Sequence, residues 1–252
     1  MRGSFGRNNF VFKKAEAYSN EYATEVATAK GVSTKTITLV LITMISALVS
    51  IFALGPVGSI AIYTPIIIAD IIVLLIMTFV PRASRILAVP YAIMEGLLIG
   101  TIAGLLELAF PNLGLSLASI AFVATLAIFL GACALYLSGA IRVTNRLRKF
   151  AFTAIIGLLI SSLVIGIASI FNPSIYYVFN EFGPIAILVS VVYIGIAAVY
   201  TVISLDNAYM IVQNGLGKEY EWYAAFGILL NIIWLFYEVL RLVVIIAAKN
   251  KD

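Results

Sequence analysis

Histidine is absent from these 252 residues, and cysteine occurs once, at Cys133. Without histidine the chain lacks the commonest metal ligand and the side chain that ordinarily titrates near neutrality. Proton chemistry at that pH then falls to carboxyl groups perturbed by their surroundings. Serine–histidine catalysis is excluded outright. A lone cysteine inside an apolar run gives no disulfide framework and no thiolate metal cluster. Charge is scarce too: 11% of the residues are Asp, Glu, Lys or Arg, against about a quarter in a soluble domain. No HExxH, GxSxG or P-loop pattern is present, so the commonest zinc, serine-hydrolase and nucleotide chemistries have no foothold.

What the chain has in quantity is hydrocarbon. Apolar residues make up 63% of it, and its mean hydropathy is +1.10. These values describe a polytopic membrane protein. Seven apolar runs lie at roughly 36–54, 59–80, 86–109, 115–138, 150–171, 183–207 and 222–248. About 20 residues suffice to cross the hydrocarbon layer, so the expected fold is all-α, with seven transmembrane helices. A polar tail, 1–35, precedes one seven-helix domain, 36–252. Turn signals separate the runs: Gly55-Pro56 with Gly58, Pro81, Pro111-Asn112 with Gly114, Ser138-Gly139, Asn172-Pro173, and Gly215 with Gly217. Pro65 and Pro90 fall inside spans and are expected to kink them. No cleavable signal peptide is expected, because its apolar core would lie closer to Met1.

Orientation follows from Lys and Arg. Thirteen of them fall in the tail and in the connections after the second, fourth and sixth spans, while the three opposite connections have none. The positive-inside rule places the N-terminus inside and, after seven spans, the C-terminus outside. The same placement accounts for the pI of about 9.1 without invoking nucleic acid. The tail either retains this charge inside or docks a partner. Its segment 13–29 has a weak periodicity compatible with a surface helix.

The last run, from Glu221 to about Ala248, carries Asn231, Glu238 and Arg241. Charges at mid-membrane cost roughly 2.5–3.5 kcal/mol each even on lenient insertion scales. This helix is therefore expected to be buried among the others, with polar groups on one face. Asp70 and Glu95 have no basic neighbour in sequence. At about 1.5 Å per residue, Asp70, Glu95 and Asn231 reach similar depths and can meet near the midplane. Asp206 lies near the inner end of the sixth span. Glu238 and Arg241, three residues apart, form either a structural ion pair or an outer gate. Each buried carboxylate is open to a structural or a functional reading; the set together favours an ion or proton pathway. An intramembrane aspartyl protease is disfavoured by the different depths of Asp70 and Asp206. Gly96, Gly100 and Gly104, four apart, form a flat stripe for close helix packing, within the chain or across a homodimer.

The segments IRVTNRLRKF (141–150), SLDNAYMIVQNGLGKEYEWYAAFGILL (204–230) and NIIWLFYEVLRL, with YAIMEGLLIG (91–100), resemble the Bax inhibitor-one family (transmembrane Bax inhibitor motif proteins). The likeness covers roughly 36–248 and is greatest to the bacterial branch with an extended tail. It implies a central seventh helix wrapped by six others and a pH-sensitive calcium leak. It also implies a carboxyl pair, one from the sixth and one from the seventh helix, that shares a proton and shuts the pore. Asp206 matches the first position, which makes it the candidate metal contact. The second falls on Asn231, which loses the coupling between two carboxylates. The resulting expectation is a multi-pass protein of the cell membrane, not an enzyme, without a cofactor, with calcium as permeant ion. Its latch would be Asp206 and Asn231, with Glu95 and Asp70 supplying mid-membrane charge. A monomer in the lipid bilayer is expected, with no nucleic-acid partner. The alternative is a non-transporting regulator that binds another membrane protein, such as a quality-control protease. A ligand-sensing receptor is disfavoured by the short loops.

Overall fold

In hydrocarbon a backbone must satisfy its own hydrogen bonds, which makes the helix the natural state of an isolated apolar run. The computed structural model describes residues 25–54, 60–172 and 184–249, and each of the seven runs carries a helix. These are α1 (Ala29–Val49), α2 (Ile60–Phe79), α3 (Ser84–Ala109), α4 (Gly114–Leu137), α5 (Asn145–Phe171), α6 (Pro184–Gln213) and α7 (Tyr220–Lys249). A π-helical turn, Ser50–Leu54, extends α1, and a 3-10 turn, Pro81–Ala83, precedes α3. Among the described residues there is no strand, only an isolated antiparallel bridge between Val26 and Gly217. Six helices are long and apolar enough to cross a membrane, and α2 adds a shorter apolar stretch, Tyr63–Phe79. The protein is an all-helical membrane protein.

Several helices outrun their apolar stretches, because polar caps rather than hydropathy end them. α1 starts at Ala29, seven residues before the apolar run, since the Thr28 hydroxyl accepts from Gly31 N. α5 starts at Asn145 for the same reason, with Thr144 accepting from Leu147 N. α6 continues to Gln213, where Gly215 in the left-handed region (φ 66°) turns the chain. Of the segment 13–29 with weak helical periodicity, the described residues Glu25–Thr28 are not helical and Ala29 begins α1; residues 13–24 lie outside the described residues, as do the turn signals Gly55, Pro56, Gly58 and Pro173. Pro65 and Pro90 sit within α2 and α3.

The chain forms two compact units, one comprising residues up to Leu115 with Asp206–Leu230, the other Ser116–Leu205 with Asn231 onward. In the first, α3 packs along α1 and against α2. A Cβ at Gly96 would collide with the Thr43 carbonyl and Ser46 Cβ, and one at Gly100 with the Ala47 carbonyl and Ser50 Cβ. Two turns of bare backbone thus let α1 seat directly on α3. Gly104, one turn further, is half-buried. Tyr91, Ala88, Ala92, Met77 and Leu39 are fully enclosed around this contact. In the second unit, Ala197, Thr201, Leu235, Val239 and Leu240 are buried, whereas α5 buries only Ala151. Leu159, Leu163, Val164 and Phe171 on α5 are more than half exposed, a surface suited to lipid rather than water. α7 is the most buried of the six long helices, with 56% of its most apolar window enclosed.

Candidate functional site

α3 brings Tyr91 and Glu95 to one face by their four-residue spacing. The Tyr91 hydroxyl donates to Glu95 Oε1 at 2.8 Å, and the Phe226 ring of α7 meets the Tyr91 ring edge-on at 5.2 Å. From α2, the carboxyl of Asp70 comes within hydrogen-bonding reach of Glu95. Glu95 and Asp70 are 7% and 6% exposed. Two ionised carboxylates are acceptors only, so a hydrogen bond between them requires a proton on one. Asp70 Oδ1 is buried with no hydrogen-bond partner among the described residues. The first unit therefore holds two buried carboxyl groups within reach of each other, an arrangement that can share a proton and that leaves one oxygen spare.

Farther along α3 a second polar group closes the same helices together. Ser50, at the start of the π-helical turn, donates to Leu97 O at 3.0 Å and shares hydrogen bonds with Tyr63 (3.0 Å) and Thr101 (3.2 Å). π-turns recur at functional positions. Here the hydroxyls satisfy one another.

In the second unit, Asn231 Nδ2 donates to Ser204 Oγ at 2.6 Å, joining α7 to α6 two residues before Asp206. Asp206 is half-buried and lies in the first unit. Of the three groups expected to meet at one depth, Asp70 and Glu95 do so in the first unit, and Asn231 belongs to the second. Glu238 and Arg241 stand 4.0 Å apart, the outer limit for an ion pair. The Arg241 guanidinium lies over the Tyr193 ring at 5.9 Å, and Trp234 hydrogen-bonds Glu238. Among the described residues, no group of three or more Cys, Asp or Glu is arranged to hold a metal ion. Asp206 as a metal contact would need oxygens other than carboxylates, since calcium takes six to eight.

A charged cluster that spacing alone does not reveal lies at the start of α7. The Glu221 carboxylate, 1% exposed, accepts from Thr28 N at 2.8 Å and from the Thr28 hydroxyl at 3.0 Å, and pairs with Lys35. Beside it, exposed Lys218 bonds Glu25 at 2.5 Å. This contact holds the Glu25 carboxyl below its usual value and the Lys218 ammonium above its own. Tyr91 was detectable in the sequence as a phenol four residues before a buried acid. Glu221 had no such signal, because its partners are 186 and 193 residues away.

No curated protein matches the chain, and no solved structure does. A family model described as Bax inhibitor 1 like matches residues 8–248, nearly the whole length and all seven helices. The chain therefore belongs to the Bax inhibitor 1 like family.

Proposed function

We propose that the protein is a pH-sensitive calcium leak pathway of the Bax inhibitor type, in a cell membrane, with its N-terminus inside and α7 central. Family membership and the positive-inside pattern support the class and the orientation. The observation that carries pH sensitivity is the buried carboxyl pair Asp70–Glu95. Position 231 holds an amide, so a proton shared between carboxylates of α6 and α7 is unavailable to this chain. The proton-sharing role passes to α2 and α3. With its proton, the pair carries one negative charge and ties the two helices. Without it, two negative charges face each other in a poorly screened interior and repel. The helices separate, or a cation takes the proton's place among carboxylate oxygens, as calcium prefers. The Asn231–Ser204 hydrogen bond, made between neutral groups, then serves as an inner latch of α7 on α6, with Asp206 two residues further along α6 as a nearby negative charge. Glu238 and Arg241 tether the outer half of α7.

Purified protein in calcium-loaded liposomes tests this. The wild type should leak, with a rate that changes between about pH 6 and 8. Asp70→Asn and Glu95→Gln should each flatten the profile, and Asp206→Asn should shift the rate without removing the pH response. An unchanged profile in both Asp70 and Glu95 variants would sink the pair's role. No leak from any vesicle would favour the regulator that binds another membrane protein.

A further inference from the structure

Glu221 occupies the first turn of α7, where an acidic side chain would ordinarily serve its own helix's N-terminus. Its carboxylate is turned instead onto the start of α1. Oε1 takes both donors of Thr28, the backbone N and the hydroxyl, and Oε2 takes Lys35. The Lys35 ammonium also lies over the Trp222 ring, 5.3 Å from its centre. Gly31 lacks a Cβ where one would strike the Glu221 carboxylate. The chain just before α1 continues the attachment. Ala27 N donates to Leu216 O at 2.7 Å and Lys218 N to Glu25 O at 3.0 Å, around the bridge of Val26 and Gly217. At the rim, Lys218 bonds Glu25, and Arg82 at the base of α3 faces Glu219 at 3.8 Å.

We infer that Glu25–Thr28 is a strap by which the N-terminal segment holds the turn between α6 and α7, and that releasing it speeds the leak. This rests on the leak reading. The strap is graded. Its outer contacts, Glu25–Lys218 and Arg82–Glu219, are exposed and screened by salt, so they part readily. Its inner contact is a buried carboxylate with three donors, which parts last. A pull on the tail therefore meets the weak contacts first and the turn's anchor afterwards. The anchor is about one and a half turns from Phe226, the α7 ring that packs on Tyr91 of the carboxyl site. A mere helix cap would stabilise α1 and leave the turn indifferent to its loss.

The bridge supplies its own lock. Val26 and Gly217 are flanked by hydrogen bonds rather than making them, the closer kind of antiparallel pair, with Cα atoms about 4.5 Å apart. That spacing suits a disulfide. The nearest atoms to a Cβ at Gly217 belong to the carboxylate end of Glu219, a flexible neighbour that can swing aside. In a Cys133→Ala background, Val26→Cys with Gly217→Cys should leak several-fold more slowly oxidised than reduced, and Glu221→Gln should leak several-fold faster than wild type. Equal rates for the oxidised and reduced pair, with the crosslink verified on a gel, overturn the strap's control of the leak. A second measurement does not depend on transport. In Glu221→Gln, amide exchange should accelerate together over Ala27–Val32 and Leu216–Trp222. Acceleration confined to Ala27–Val32 reveals a cap and overturns the strap. If no form leaks, the leak reading and the strap's control of it fall together, while exchange still decides whether the strap holds the turn.

Discussion

Lys35 sits beside a carboxylate with almost no access to solvent; the side chains are 16% and 2% exposed. Removing one partner of such a pair strands a buried charge and typically costs about 3–5 kcal/mol, whereas replacing both with apolar groups restores much of it. Lys35→Met should therefore lower the unfolding free energy of detergent-solubilised protein by about 3 kcal/mol. Lys35→Met with Glu221→Met should recover most of that loss. A single variant as stable as wild type would mean that Glu221 is hydrated. Glu25 and Lys218 behave differently because both face water. Glu25 is held below its ordinary 4.5, so its stabilising effect is present above 4.5 and vanishes as pH falls through the lower folded value. Lys218 is held above 10.5, so its effect is complete below 10.5 and vanishes as pH rises through the higher folded value. A spin-label distance between positions 26 and 217 should thus be constant from about pH 5 to 10 and lengthen in stronger acid. A change near pH 7 would implicate another group. At this scale the sequence was legible where chemistry is local, as in Glu95 and Asp70, whose lack of a nearby cation already required a partner on another helix, a proton or water. It was mute about Glu221, which began the last apolar run without any sign of what lay opposite.

Among helices, the small residues of α3 make the sharpest distinction. Gly96 and Gly100 face the backbone of α1, while Gly157 on α5 has nothing within 4 Å of its would-be Cβ. Overpacking a close contact costs typically 1–3 kcal/mol, and an alanine replacing glycine in an open helix gains roughly 0.5–1 kcal/mol. Gly96→Ala should lower the melting temperature in detergent, and Gly157→Ala should leave it equal or higher. The reverse order would place α1 elsewhere. Four-residue spacing announced a flat face on α3, but spacing is silent about which helix uses it. Apolar length located all seven helices because backbone in lipid has few alternatives. It misplaced their ends by several residues, since Thr28, Thr144 and Gly215 act through single hydrogen bonds or one dihedral angle that hydropathy does not register. The carboxyl pair lies between these views. Depth arithmetic brought Asp70 and Glu95 to one level, and only packing of α2 on α3 could show that they touch.

For the whole molecule, composition and motifs were enough to reach the family, which the match over 8–248 shows. Sidedness rests on thirteen basic residues on one side of the spans. Cysteines introduced singly at Ser4 and Lys251 in a Cys133→Ala chain should be labelled by an impermeant maleimide from opposite faces of intact cells, Lys251 from outside. Labelling of both from one face would require an even number of spans. The strap adds a consequence in time. Thr28 emerges from the ribosome early, but Glu221 follows 193 residues later. At 5–20 residues per second this is a wait of roughly 10–40 s. Until then α1 is in place with Lys35 unpaired and the donors of Thr28 unmet. The clasp is thus a seal that closes only once the start of α7 has been made, and a chain halted before residue 221 keeps an open end at residue 28.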